Sequence, residues 1–216
     1  MRGVISMNEE MSNNIAEVTG RVAGEPKFSH EVYGEGFYSF ELEVSRLSHV
    51  SDFLPVTISE RLIDYNRLVK DGVAKISGQV RSYNNYDEET RRNRLILTLF
   101  AREIEILPEL GIENPNDIFL NGYICKPPVY RMTPFGREIT DLLVAVNRSY
   151  NKSDYIPCIA WGRNAKFAGR LTVGDNIRIW GRMQSRGYQK KYETGDIEEK
   201  VAYEVSVSKL EIHREE

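Results

Sequence analysis

The chain has 216 residues, of which 41% are hydrophobic and 28% charged, with a formal net charge of −3. That is the balance of an ordinary globular protein, and no apolar run approaches the roughly 20 residues of a membrane span. The N-terminus lacks the apolar stretch of a secretory signal. The two cysteines, Cys125 and Cys158, make no disulfide framework, and both read as apolar strand positions in a reducing cytosol. His30, His49 and His213 lie far apart, so no metal-ligand spacing arises. No paired carboxylates, nucleophile–base set or phosphate loop stands at a useful spacing. The expectation is a non-enzymatic protein with no catalytic residue, no metal and no cofactor.

Residues 1–13 are polar and without period, and read as a disordered tail. The pattern from residue 14 to 107 is β. Residues 15–22, 37–44 and 53–58 read as three strands, with Phe40, Leu42 and Val44 on one face of the second. Leu62, Ile63, Leu68 and Val69 stand at helical spacing, so a short helix is expected over 60–70, stopped by Asp71-Gly72. Residues 73–82 and 95–106 read as the fourth and fifth strands, joined by a polar hairpin tip at 84–89. Leu95, Leu97, Leu99 and Ala101 share a face, but Ile104 and Ile106 need a bulge or a switch of faces. Residues 108–117, PELGIENPND, read as a linker.

The order then repeats. Strands are expected at 118–125, 138–147, 154–161, 176–186 and 200–212. A helix over 164–171, with Asn164 as its N-cap, separates the third from the fourth. A charged hairpin tip falls at 189–199. Trp180, inside IRIWGRM, is expected in a core or a subunit interface.

The two halves align. At an offset of 102, Gly20 meets Gly122, Arg46 meets Arg148, Asp52 meets Asp154 and Arg61 meets Arg163, with no gap between. One insertion later, Gly78 meets Gly181 and Ser82 meets Ser185. The chain is therefore a duplicated domain. Five strands with a helix between the third and fourth is the order of an OB-fold, a small Greek-key barrel. The fold expected is all-β: two tandem five-stranded OB barrels over 14–107 and 118–213, the first divergent.

The charge is uneven. Residues 1–110 hold 13 Lys/Arg against 18 Asp/Glu; residues 111–192 hold 13 against 6; residues 193–216 hold 3 against 8. A basic block inside an acidic chain offers a local surface for phosphates that net charge hides. Within that block lies DYIPCIAWGR, residues 154–163. Ile156, Cys158 and Ala160 share one strand face, and Tyr155, Pro157, Ile159 and Trp161 the other. Planar rings on a sheet surface are what stacked bases need.

The second half, about residues 119–212, resembles the bacterial single-stranded DNA-binding protein family. The motifs are NGYICKPPVYRMTPFGREI, LLVAVNRSY, DYIPCIAWGRNAKFAGRLTVGDNIRIWGRMQSR and VAYEVSVSKLEI. The resemblance implies sequence-independent binding of single-stranded DNA, or of RNA, by base stacking on four aromatic positions. These are Tyr150, Tyr155 (where the family usually has Trp), Trp161 and Tyr188. Phosphate contacts are expected from Arg131, Arg148, Lys152, Arg163, Arg182, Arg186 and Lys190. It further implies work in replication, recombination or repair in a bacterial cytoplasm, at the nucleoid. A homodimer giving four OB-folds is expected, with Val144, Val146 and Trp180 in apolar faces that a partner would cover. The family's acidic-aromatic tail is not matched by the closing HREE, which puts tail-mediated partner docking in doubt.

The first half keeps the frame but not the rings. Phe53 matches Tyr155, whereas Ser48 falls at Tyr150, Ser59 at Trp161 and Asn85 at Tyr188. Phe53, Tyr83 and Tyr86 are the weaker candidates there. The competing expectation is an OB-fold assembly module of a primosome-like complex, with weak or no DNA binding.

Overall fold

A computed structural model describes residues 13–46, 48, 50–87, 92–111, 115–191, 195 and 197–213. Residues 1–12 of the expected tail (1–13), residues 88–89 of the first expected hairpin tip (84–89) and residues 192–194 and 196 of the second (189–199) lie outside the described residues; the rest of both tips belongs to strands or, at Gly195, a bend. So does the side chain of Lys190.

The first half is built from β1 (Asn14–Val22), β2 (Lys27–Val32), β3 (Glu35–Ser45), β4 (Ser51–Ser59), β5 (Val73–Asp87) and β6 (Arg92–Leu107). The second half repeats it with β7 (Asn116–Ile124), β8 (Val129–Met132), β9 (Glu138–Arg148), β10 (Lys152–Trp161), β11 (Asn176–Lys191) and β12 (Ile197–Ile212). The helix α1 (Gly162–Ala168) follows β10. β7 starts at Asn116, inside the stretch expected as linker.

Each half closes on itself. In the first, the ladder runs β3-β4-β6-β5-β1 and returns through a β1–β3 pairing; in the second it runs β9-β10-β12-β11-β7 and returns through β7–β9. Among the described residues, only β4–β6 and β10–β12 pair in parallel. Two closed five-stranded barrels of this order are OB-folds, as expected. β2 and β8 are extra edge strands, hydrogen-bonded to β3 and β9. They escape a sequence reading because every residue in both is exposed, so no apolar alternation marks them.

Inside each barrel the alternation is as read. Phe40, Leu42 and Val44 are buried on β3, and Ile156, Cys158 and Ala160 on β10. Burial pushes the Cys158 thiol up, so it is an inert core residue. The switch of faces on β6 is a bulge: the β5–β6 register shifts between Ser77 and Gly78, opposite Ala101 and Glu103. Its counterpart on β11 falls between Trp180 and Gly181. A Cβ at Gly78 would collide with the Phe100 carbonyl, and one at Gly181 with the Ser206 carbonyl. The repeat keeps glycine where two backbones approach this closely.

Three expectations are corrected. The helix expected over 60–70 is only a 3-10 turn, Tyr65–Arg67, N-capped by Asp64. Of its four apolar positions Leu68 is buried, whereas Leu62 and Val69 are exposed, so a longer helix would have little face to bury. In the second half the helix starts at Gly162, two residues before the expected cap. Gly162 takes φ +54, which suits glycine, and Asn164 donates to the Ser208 carbonyl at 2.9 Å. Val144 and Val146 lie wholly inside their barrel and offer nothing to a partner, and Trp180 is half-buried on the outer sheet face. There it packs against Phe119 at 5.2 Å between centroids, with Lys209 Nζ 4.5 Å from its ring centre.

The barrels join through an antiparallel β1–β7 ladder centred on Ala16↔Ile118. Asn14 faces Leu120 and Val18 faces Asn116, so residues 102 apart exchange places across a pseudo-two-fold axis. Each long β-arm then crosses to the other barrel. Ser185 on the β11 arm donates to Asp52 on β4, and Ser82 on the β5 arm donates to Asp154 on β10.

Candidate nucleic-acid interface

The strand registers set most of the expected residues on one outer face of the second barrel. Ile159 faces Ser206, which faces Arg182; on the other side Trp161 faces Ile139, which faces Arg131. Directly paired residues share a face, and alternation extends it to Tyr155 on β10 and to Arg186 and Tyr188 on β11. Tyr155, Trp161 and Tyr188 are 45%, 37% and 40% exposed, so their ring planes remain open to a ligand.

Trp161 sits where β10 ends and caps α1 with extended backbone. The turn at Gly162 lets the chain leave into the helix there. In the first barrel the equivalent of Gly162 is Glu60, whose Oε1 accepts from the Gly36 N–H at 2.9 Å. Ser59, the equivalent of Trp161, is buried, and its hydroxyl donates to Glu35. The local hydrogen bonding there has replaced the ring platform.

The cations fall in two groups. Arg131 Nε meets Asp141 at 2.7 Å, Arg186 Nε meets Glu204 at 3.5 Å and Arg148 Nη1 meets Asp154 at 3.4 Å. Each of these charges is partly offset. Among the described residues no carboxylate lies within ion-pair distance of Lys152, Arg163 or Arg182. The Arg131–Asp141 pair is exposed and individually weak, so a phosphate competes for that arginine on similar terms, whereas Asp154 and Glu204 are buried and hold their arginines more firmly.

Tyr150 stands apart from the other three rings. It lies in a 3-10 turn between β9 and β10 with left-handed backbone, φ 60 and ψ 36, and is 93% exposed. Together with Arg148, Ser149 and Lys152 it lines a groove of about 970 Å³ whose other wall is the first barrel. That wall includes His30, Thr57, Arg81, Tyr83, Thr98 and Phe100. Of the weaker first-half candidates, Tyr83 therefore lines the groove. Phe53, opposite Glu43, and Tyr86, on the β5 arm, are exposed. His30, Phe37 and Phe100 do not stand out in the sequence because their equivalents in the second half, Met132, Ile139 and Ser206, carry no ring. The alternation of Thr98 and Phe100 on β6 was the available signal.

Two linked barrels, each a closed five-stranded ladder with a parallel β4–β6 or β10–β12 pairing, define a two-barrel OB protein as a class. Residues 115–213 match the model of the Single-strand binding protein family. The second half of the chain is thus similar to that family. It is 32% identical over 83 residues to Single-stranded DNA-binding protein A of Bacillus subtilis (strain 168), covering 35% of this chain and 48% of that protein. The figures for Single-stranded DNA-binding protein 1 of Staphylococcus aureus (strain COL) are 32% over 83 residues, 35% and 50%. The chain thus spans about half the length of these relatives. The crystal structure of the wild-type single-stranded DNA binding protein from Thermus aquaticus superposes with a TM-score of 0.73 at 19% identity, over 94% of each chain. That likeness shows that the whole two-barrel fold is shared.

Proposed function

We propose that this chain binds single-stranded DNA without reading its sequence and acts as a binding protein in replication, recombination or repair, not as an enzyme. The observation that carries this reading is the common outer face of β10, β11 and β8. It holds Tyr155, Trp161 and Tyr188 open beside Arg131, Arg182 and Arg186. Stacking is worth roughly 1–3 kcal/mol per base and tolerates every base, because each has a π-face. The cations track the phosphates and release counterions. Lys152, Arg163, Tyr150 and Lys190 extend the contact along the strand. The matched relatives are named for the same activity.

The units of this reading are two barrels, about 14–107 and 118–213, with the second as the principal site and two chains pairing to give four barrels. A row of Ile15, Phe119 and Trp180 on the outer face across the β1–β7 seam supports such pairing. In the described residues no helix is long and apolar enough to cross a membrane.

The test is polarisation of a labelled oligo-dT against a duplex of equal length at rising salt. The single strand should bind more tightly, with log K falling by about 0.7 per phosphate contact for each unit of log salt. Equal affinity for duplex and single strand contradicts the reading.

A further inference from the structure

The strand β10 carries the Tyr155 and Trp161 rings, and its two edges are held differently. One edge pairs with β9 along its whole length, from Lys152 to Trp161. On the other edge the ladder to β12 is registered at Cys158 and Ile159. Ahead of that contact the edge is taken by the first barrel. The Tyr155 N–H donates to Ser82 Oγ, and the Ser82 N–H to Asp154 Oδ1, each at 2.7 Å. The Ser82 hydroxyl also donates to the Asp154 carboxylate. One serine of the β5 arm thus binds two consecutive residues of the ring-bearing strand. A strand N–H away from its ladder needs an acceptor, and this one comes from 73 residues back in the chain.

The duplicated latch is built otherwise. Ser185, the equivalent of Ser82, gives its hydroxyl to Asp52 Oδ1 at 2.9 Å, and Arg46 takes its carbonyl. Gln184, the equivalent of Arg81, bonds Glu204 of its own arm at 2.9 Å, whereas Arg81 reaches Asp154 at 3.2 Å. Asp154 also receives Arg148 at 3.4 Å, so the carboxylate that Ser82 holds ties together the two ends of the Tyr150 turn. Tyr155 is half-exposed, so packing fixes its ring only in part, and the backbone beneath it sets where the ring stands. A ring already in place loses less freedom when a base arrives.

We propose that Ser82 of the first barrel is a positioning residue for the second barrel's base platform. Its hydroxyl holds the Tyr155 amide, and through Asp154 it fixes the start of β10, so that the Tyr155 ring stands in stacking position before the strand binds. The first barrel then contributes to single-strand affinity through its bond to the second barrel, and Ser82 itself touches no nucleotide. The proposal rests on the reading of Tyr155 as a stacking ring and adds what holds that ring. The two halves are one binding unit, in which one barrel's arm braces the other barrel's platform.

The test is a double-mutant cycle in the full chain, read by polarisation of labelled oligo-dT under conditions where urea unfolding shows every variant folded. Ser82→Ala should weaken binding by about 3- to 10-fold, the worth of one hydrogen bond. In a Tyr155→Ala background the same change should cost less than about twofold, because the ring it positions is gone. In a Trp161→Ala background it should cost the full factor. Ser82→Thr keeps the hydroxyl and should bind as the parent does. A general loss of stability would not follow the Tyr155 background in this way. Hydrogen exchange in the free chain reads the bond without DNA: protection of the Tyr155 amide should fall in Ser82→Ala and return in Ser82→Thr. Parent affinity in Ser82→Ala, or an equal loss with and without the Tyr155 ring, overturns the proposal, as does unchanged protection of the Tyr155 amide. If Tyr155→Ala alone keeps the parent's affinity, the stacking reading of Tyr155 fails, and the positioning role with it.

Discussion

Asp52 and Ser185 stand 133 residues apart and bind each other: the Ser185 N–H donates to Asp52 Oδ1 at 2.6 Å and the hydroxyl to the same oxygen at 2.9 Å. Arg46 completes the knot, reaching Asp52 Oδ1 at 2.5 Å and the Ser185 carbonyl at 2.7 Å. The duplication writes the same device twice. Asp154 accepts from the Ser82 N–H at 2.7 Å, and Ser82 Oγ accepts from the Tyr155 N–H at 2.7 Å. Each barrel's arm is pinned to a buried carboxylate of the other barrel.

Removing one carboxylate should therefore loosen the assembly of both halves. Asp52→Ala leaves the Ser185 N–H without its acceptor and the Arg46 guanidinium with the Ser185 carbonyl but no carboxylate. The expected loss is about 3–5 kcal/mol, the cost of breaking a buried ion pair on one side. Asp52→Asn keeps one acceptor oxygen and should lose only about 1–3 kcal/mol. Urea unfolding gives both values, and a loss below about 0.5 kcal/mol for the alanine variant contradicts the structural role.

The two equivalent carboxylates should respond to pH with opposite sign. Burial pushes Asp52 up, but the bonds from Arg46 and Ser185 outweigh it and hold its carboxyl below the ordinary range. Burial also pushes Asp154 up, and there Ser82, Arg148 and Arg81, at longer distances, do not cancel it. For Asp52 the unfolded chain binds more protons, so its contribution is present above the ordinary carboxylate pKa and is lost as pH falls through the folded value. For Asp154 the folded chain holds the proton more tightly, so stability falls as pH rises from the ordinary value through the raised one. Stability measured across that range should rise with pH less steeply in Asp52→Asn than in the parent, and more steeply in Asp154→Asn. The same change of slope in both variants contradicts the assignment.

The paired bulge glycines make a further prediction. Gly78→Ala and Gly181→Ala each place a methyl group against a carbonyl of the neighbouring strand. Either should destabilise by about 1–3 kcal/mol, the cost of overpacking, although alanine is otherwise the better strand residue. Thermal unfolding at matched conditions checks this, and a neutral result at both sites would mean the bulge opens freely.

A third kind of variant separates charge from stacking. Arg163→Ala removes an exposed cation with no carboxylate within ion-pair distance among the described residues, and should lower the slope of log K against log salt by about 0.7. Tyr188→Ala should weaken binding by roughly 1–3 kcal/mol with the slope unchanged. Oligo-dT titrations at several salt concentrations distinguish the two, and an unchanged slope in Arg163→Ala removes that residue from the phosphate path.

Much of this was legible in the residues. The duplication, the barrel strands and the face shared by Tyr155 and Trp161 follow from a fixed offset and from simple alternation. What could not be read depends on which elements cross between barrels. Tyr150 looked like a fourth ring of its own barrel, yet the turn that carries it faces the other one. Val144 and Val146 looked available for a partner because alternation does not show that a barrel closes over both its edges. For Trp180 the residues leave both a core and a subunit interface open, because hydropathy alone cannot tell an inner strand face from an outer one. The exposed edge strands β2 and β8 bury nothing, so they leave no apolar period to find.

The central claim is that bases stack on the second barrel's open face, and Trp161 reports it directly. Replacing Trp180, the other tryptophan of the chain, with phenylalanine leaves Trp161 as the sole indole emitter. Oligo-dT should then quench its emission in step with binding measured by polarisation. Tyr155→Ala in that background should shift both curves together, by roughly 1–3 kcal/mol. Binding seen by polarisation with Trp161 emission unchanged would place the strand elsewhere and contradict the account.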